Sequence, residues 1–285
     1  MYNGIVPSPH GYIYGVQDAE IERLAMQHRL WADDCLRHCK RAGFRPGQTL
    51  LDIGCGPGFA AWDLAELVGP KGQIIAIERE AKYADFFRQE LSLQHRRPRA
   101  PIDLRITSAQ TPGLAASSLD GAYARWFFTF IPDLSEVLRP LQQALRVNAP
   151  LVILDYFDWA ALAWGPRQET LPLIREGVTA AFDSFGADGC VGQALPSALT
   201  AAGFELIDMQ PRVHMARPQH ALWSWPQVWL EGFLPTVIEA GHLPADILPR
   251  WQQEWAHNAQ DPVGYFMSPP QVELIARRKR TGGLK

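Results

Sequence analysis

Cysteine is scarce in this sequence, with four residues in 285, too few to staple a chain of this length through disulfides. Stability must come from a buried core, which a chain of this size can build unaided. Long apolar runs are missing too: none approaches the ~18 residues of a membrane span. Met1–His10 carries neither a basic start nor an apolar h-region, so no signal peptide is expected and a reducing, cytoplasmic setting is. Neither sign of charge is in excess. With 27 Lys and Arg against 30 Asp and Glu, the net charge of −3 gives no general attraction to nucleic acid or an anionic membrane. There is no G-x-S-x-G and no repeat or low-complexity stretch. Cys35 and Cys39 lie one helical turn apart around His38, but no second cluster supplies further metal ligands. They are read as small buried helix residues, and no metal is expected.

What the sequence does have is tryptophan: ten residues, eight of them from Trp126 onward. They suit both core packing and an aromatic pocket for a flat or apolar ligand. The segment 18–41 has apolar residues at steps of three and four, which predicts a helix opened by Asp18 and stopped by Gly43. Strands and helices then alternate. Strands are predicted at 49–53, 73–77, 102–107, 121–125 and 150–156, and helices at 60–68, 81–93 and 134–145. Alternation of this kind implies parallel pairing through right-handed crossovers. Residues 171–185 and 193–202 read as helices, 204–215 as a long strand, 223–257 as Trp- and Pro-punctuated helix, and 271–279 as a closing strand.

The segment from Leu50 to Phe59 reads Leu-Leu-Asp-Ile-Gly-Cys-Gly-Pro-Gly-Phe. A strand ending in such a turn presents bare backbone at the edge where open α/β sheets bind ligands. The dinucleotide fingerprint is G-x-G-x-x-G; here the third glycine comes one residue early. Asp52 is a poor neighbour for a pyrophosphate and a good one for a cationic group. Glu78, at the end of the second strand, is placed to accept hydrogen bonds from a ribose diol. A ribose joined to a cationic, phosphate-free partner fits S-adenosylmethionine.

On these residues the chain resembles the class I S-adenosylmethionine-dependent methyltransferases. The likeness rests on Leu50–Glu80 and, more weakly, on Leu119–Trp126, Leu145–Asp158 and Leu195–Phe204. It covers most of the chain from Gln48 to Lys279 apart from two insertions. The resemblance implies an α/β fold, a Rossmann-like, mostly parallel sheet of seven strands with helices on both faces plus helical cap insertions. It divides the chain into an N-terminal lid and helix (1–47), a cofactor-binding core (48–158 and 193–218), two caps (159–192 and 219–265) and a final strand with tail (266–285). It implies that Asp52, Gly54, Cys55, Gly56 and Gly58 line the methionine part of the cofactor. Glu78 would hold the ribose, and Arg79 would lie against the adenine with Ser108, Ala109 and Gln110. Many relatives have an aspartate where Ser108 stands, and serine accepts a weaker bond there. Tyr14 and Arg125 are the remaining cofactor candidates.

A sulfonium-bound methyl is electrophilic, so such an enzyme contributes mainly proximity and orientation. Should the acceptor need to lose a proton, the candidate bases are His10, Asp155 and Asp158, with Arg125 as a further catalytic candidate. Tyr12, Trp126, Phe157 and Trp159 are the candidate substrate-pocket residues. The expected partner is a small, partly hydrophobic methyl acceptor, not nucleic acid or a membrane, with the protein a monomer or homodimer. Two alternatives stay open: an S-adenosylmethionine-binding protein that transfers no methyl, and a nicotinamide-dependent oxidoreductase.

Overall fold

The computed structural model describes residues 18–93 and 99–280. His10, Tyr12 and Tyr14 lie outside them. The chain opens with α1 (Asp18–Ala42), which Gly43 ends at φ 98°. There follow β1 (Thr49–Ile53), α2 (Phe59–Val68), β2 (Gln73–Glu78), α3 (Ala81–Leu93), β3 (Ile102–Ile106), β4 (Gly121–Arg125), α4 (Leu134–Ala144) and β5 (Pro150–Tyr156). Then come β6 (Ala163–Gly165), α5 (Leu171–Phe185), α6 (Val191–Ala201), β7 (Phe204–Arg212) and β8 (Met215–Ala216). The chain closes with α7 (Ser224–Glu239), α8 (Ile247–Gln260), β9 (Tyr265–Met267) and β10 (Gln271–Arg278).

Seven strands form one sheet in the order β3-β2-β1-β4-β5-β10-β7. Only β10 runs antiparallel to its neighbours. Parallel strands are buried on both faces and so read as continuous apolar runs. Leu50, Ile74, Tyr123 and Val152 face a core shared with α1 and α2, whereas Leu51, Ile75, Ala122 and Leu151 face a second core with α4 and α6. The expected Rossmann-like α/β fold is the one observed. From β1 the chain builds outward to β3, then returns to place β4 on the other side of β1. Strand order therefore reverses between β1 and β4, which makes the carboxyl ends of these two strands the ligand crevice of such a sheet.

The structure corrects the strand expected at 204–215. Main-sheet pairing stops where Arg212 meets Gln271, because Pro269 and Pro270 before it have no N–H to offer the ladder. The chain then crosses to a second sheet, β6-β9-β8, which the sequence did not indicate. The helical stretch at 223–257 is two helices, α7 and α8, separated at Gly241 with φ 79°.

The late helices bury most of the tryptophans against one another. Trp223 stacks on Trp255 at 4.3 Å, Trp251 on Trp255 at 5.8 Å, and Trp229 lies 5.1 Å from Trp159. Two polar side chains of α8 tie this layer to β6 and the chain after it. Glu254 accepts from Trp164 Nε1 at 2.5 Å, Thr170 N at 2.9 Å and Thr170 Oγ1 at 3.0 Å. Asn258 brackets the Arg167 backbone, accepting from its N–H at 3.0 Å and donating to its carbonyl at 2.9 Å. Trp251 is fully buried, so Trp251→Ala should cost about 3–5 kcal/mol. Urea unfolding checks this, and a cost below about 1 kcal/mol would mean the aromatic layer is not a packed core.

Candidate active site

The glycine turn leaves β1 at the switch point. Gly54, Gly56 and Gly58 all have positive φ, at 62°, 55° and 87°. A Cβ at Gly54 would stand 2.4 Å from the Phe127 ring, and at Gly58 2.4 Å from the Phe87 ring. A Cβ at Gly56 would meet nothing within 4 Å. The outer glycines are thus required by packing, and the middle one leaves bare backbone facing open space.

The Glu78 carboxylate holds this turn. It is buried, and its Oε2 accepts from Gly56 N at 2.8 Å while Oε1 accepts from Arg79 N at 2.8 Å and Glu80 N at 2.9 Å. Burial raises its pKa, and the three amide donors pull it back. The Cys55 N–H donates to the Ile77 carbonyl at 3.0 Å, a second tie between the turn and β2.

Asp52 sits beneath the turn, 2% exposed, with Oδ2 lacking a hydrogen-bond partner among the described residues. Burial pushes its pKa up to about 7; the charges of Glu78 and Asp63 add to this and Arg125 opposes it. A buried carboxylate without a donor is costly, and a nearby cation lowers that cost.

Arg125 ends β4. Its Nη2 lies 3.0 Å from His28 Nδ1, its Nη1 donates to Cys35 Sγ at 3.5 Å, and the guanidinium is 4.9 Å from the Trp126 ring. Burial, with the positive charges of Arg125 and Arg29, lowers the His28 pKa to about 3. The ring is therefore neutral. Its Nδ1 accepts from Arg125, and the proton on Nε2 faces Asp63 Oδ2 at 3.4 Å, a polar contact and not an ion pair.

Asp52, Gly54, Cys55, Gly56, Glu78, Arg79, Ala109, Gln110, Arg125 and Trp126 all line one cleft. Gly58 and Ser108 back it without lining it; the Ser108 hydroxyl turns to Gln110. The sequence reading missed the opposite wall. Arg23, Leu24 and Gln27 come from α1, with Phe130, Ile131, Tyr156 and Trp229 beyond them. Arg23 is buried and held at 2.7 Å by both Glu20 oxygens and at 2.5 Å by Gln27, whose Oε1 also accepts from Trp225 Nε1 at 3.0 Å. A signal was available. Glu20, Arg23, Gln27, Asp34 and His38 recur at helical spacing and are all buried.

Four expectations are corrected. Asp155 is not placed as a base. It is fully buried outside the lining, and its Oδ2 accepts from the backbone of Phe127, Phe128 and Thr129 at 3.1, 2.8 and 3.3 Å, its Oδ1 from Tyr156 N at 2.9 Å. It fixes the one-turn helix Phe128–Phe130 that carries part of the wall. Phe157 turns away from the cleft into solvent, its N–H held by Pro270 O at 2.9 Å. Trp159 is 1% exposed and packs behind the wall on Trp229 and Phe182. Asp158 also lies off the cleft. Asp155→Ala would strand four backbone donors and should destabilise the protein by at least about 2 kcal/mol. Urea unfolding measures it; wild-type stability with lost turnover would restore a chemical role.

The family described as "Methyltransferase domain" matches residues 51–153, from β1 into β5. The chain is similar to a 2-phytyl-1,4-naphtoquinone methyltransferase of Synechococcus elongatus, 30% identical over 185 residues, covering 64% of this chain and 69% of that one. It is also similar to a nocamycin O-methyltransferase of Saccharothrix syringae, 27% identical over 258 residues, 84% of this chain and 88% of that one. The match spans only 55–57% of the length of several other curated relatives. Among solved structures, a geranyl diphosphate C-methyltransferase from Streptomyces coelicolor shares the fold at TM-score 0.54 and 13% identity, over 96% of this chain and 86% of that one. With sequence kinship at this level running through the strands that build the switch point, the chain belongs to the family of S-adenosylmethionine-dependent methyltransferases.

Proposed function

We propose that this protein transfers the methyl group of S-adenosylmethionine to an O, N or C atom of a small, partly hydrophobic molecule. One observation carries the proposal: a buried carboxylate with no donor among the described residues, Asp52, lies beside a glycine turn whose other flank is Glu78. Asp52 would accept an ammonium. Glu78 oxygens keep lone pairs after their backbone bonds and would accept from a ribose diol. Open space above Gly56 lets a ligand reach the backbone, and Arg79, Ala109 and Gln110 flank the place an adenine would take. When bound, the cofactor supplies an electrophilic methyl.

This chain's residues do the rest by position. Trp126, Phe130, Tyr156 and Trp229 form an apolar wall that would hold an acceptor against the cofactor and exclude water. Relatives named for a naphtoquinone and for nocamycin support an apolar acceptor. Residues 48–158 and 193–218 would bind the cofactor, with 159–192 and 219–265 as caps. We place the reaction in the cytoplasm, on a small molecule and not nucleic acid, with the protein a monomer or homodimer. Among the described residues no helix is long and apolar enough to cross a membrane.

Glu78→Ala should weaken S-adenosylhomocysteine binding by about 1–3 kcal/mol in calorimetry, and S-adenosylhomocysteine should accumulate when wild-type protein meets cofactor and an apolar phenol or quinol. Unchanged affinity in the variant would contradict the ribose role. Binding without turnover across such acceptors would favour a protein that uses the cofactor without methyl transfer.

Asp52 titrates near 7 when unliganded and must be ionised to meet an ammonium. Binding therefore expels a proton below that pH, and affinity should fall about tenfold per pH unit there. In the free protein the sign is opposite: its raised pKa means the folded state holds the proton more tightly, so stability declines as pH rises from about 4 to 7. Asp52→Asn should thus raise the Tm of the unliganded protein at pH 8 while reducing its affinity for S-adenosylhomocysteine. A variant that loses both stability and affinity would contradict this assignment.

A further inference from the structure

The α1 wall of the cleft is not apolar throughout. Gln27 lines it and is buried. Its Oε1 accepts from Arg23 Nη1 at 2.5 Å and from Trp225 Nε1 at 3.0 Å. A guanidinium and an indole can only donate, so both require the oxygen of this amide and fix which way it points. The Nε2 is thereby turned away from them. That nitrogen has no acceptor among the described residues and is not sealed from solvent, so it opens on the cleft.

Tyr156 presents a second such group. It ends β5 and lines the same cleft, with its backbone N–H held by Asp155 Oδ1 at 2.9 Å. The side chain is buried, but its hydroxyl has no hydrogen-bond partner among the described residues and is not sealed either. Burial raises its pKa; the charge of Arg23 opposes this, and those of Asp155 and Glu20 add to it. The hydroxyl therefore keeps its proton and can donate. Arg23 links the two groups: it bonds Gln27 directly, and its charge reaches Tyr156. Its own charge is matched, because both Glu20 oxygens accept from it at 2.7 Å. This part of the wall thus offers donors without net charge, beside the apolar Phe130, Ile131 and Trp229.

Neutral donors in apolar surroundings match a neutral oxygen that accepts hydrogen bonds. Building on the methyl-transfer reading above, we propose that Gln27 Nε2 and the Tyr156 hydroxyl bind a carbonyl oxygen of the methyl acceptor, so that the protein selects apolar molecules carrying a ketone-type carbonyl. A carboxylate would be drawn to an unmatched cation, and Arg23 is matched. An ammonium would want a carboxylate facing this wall, and Glu20 is turned to Arg23. Selection follows from the cost of mismatch: an analogue without the oxygen takes water from both donors and gives nothing back.

The test is calorimetric, on protein saturated with S-adenosylhomocysteine, and needs no turnover. The ketone 1-tetralone is compared with tetralin, which has a methylene in place of the carbonyl, and with tetralin-1-carboxylate. Wild type should prefer 1-tetralone to tetralin by about 5- to 30-fold. Gln27→Glu keeps an oxygen for Arg23 and Trp225 but replaces the donor, and should erase that preference. Tyr156→Phe removes only the hydroxyl and should lose part of it. Both variants should bind S-adenosylhomocysteine within about threefold of wild type. Equal affinity of wild type for 1-tetralone and tetralin, or binding of neither, overturns the proposal even if no variant folds. Tighter binding of the carboxylate than of 1-tetralone overturns the choice of a neutral carbonyl. A preference that survives in both variants overturns the assignment to these residues, and equal weakening of both probes overturns it in favour of a packing role. Failure of wild type to bind S-adenosylhomocysteine at all is a separate result, which overturns the cofactor assignment itself.

Discussion

The Glu78 carboxylate and the three backbone N–H groups it gathers are what the rest of the site depends on. One oxygen reaches across to Gly56 in the turn after β1, and the other closes the end of β2 through Arg79 and Glu80. Hydrogen bonds to an ionised acceptor are among the stronger ones in proteins. These cross-link two adjacent strand ends, so the glycine turn is a fixed cradle. Phe127 and Phe87 crowd the outer glycines from either side. Only the middle of the turn is left open, and that is where a ligand can touch backbone.

Around this cradle the buried charges are deliberately incomplete. Among the described residues Asp52 has no hydrogen-bond donor and Arg125 no carboxylate hydrogen-bond partner, while Arg23 is paired with Glu20, Arg212 with Glu273, and Glu254 with Thr170 and Trp164. Unpaired buried charge lowers the stability of the empty protein and is recovered when a complementary ligand arrives. The aromatic layer of α7 and α8 offsets that cost with a large apolar core. Through Trp225 and Gln27 it also positions the α1 wall of the cleft.

The main sheet was legible because parallel strands buried on two faces leave apolar runs bounded by Gly and Pro. Asp52 and Glu78 were legible because a strand, a turn and the next strand end are local features. Residues whose role depends on distant partners were not. Asp155 sits where a base could stand, and only the folded chain reveals that four amide groups already occupy it. Strands as short as Met215–Ala216 show no periodicity and exist because Phe266 and Met267 lie opposite. Arg23 and Gln27 escaped because a periodicity argument follows apolar residues, whereas this face of α1 buries polar ones. The tryptophans served mostly as core, with Trp126 and Trp229 alone among them reaching the cleft.

The claim at the centre is that two carboxylates shape the turn for a cationic, nucleoside-bearing amino acid and against a diphosphate. Side-by-side titration of the wild-type protein with S-adenosylmethionine and with NAD tests it most directly. Saturable binding of S-adenosylmethionine at micromolar order, with no heat from NAD, is the predicted result. Binding of NAD with none of S-adenosylmethionine would contradict it.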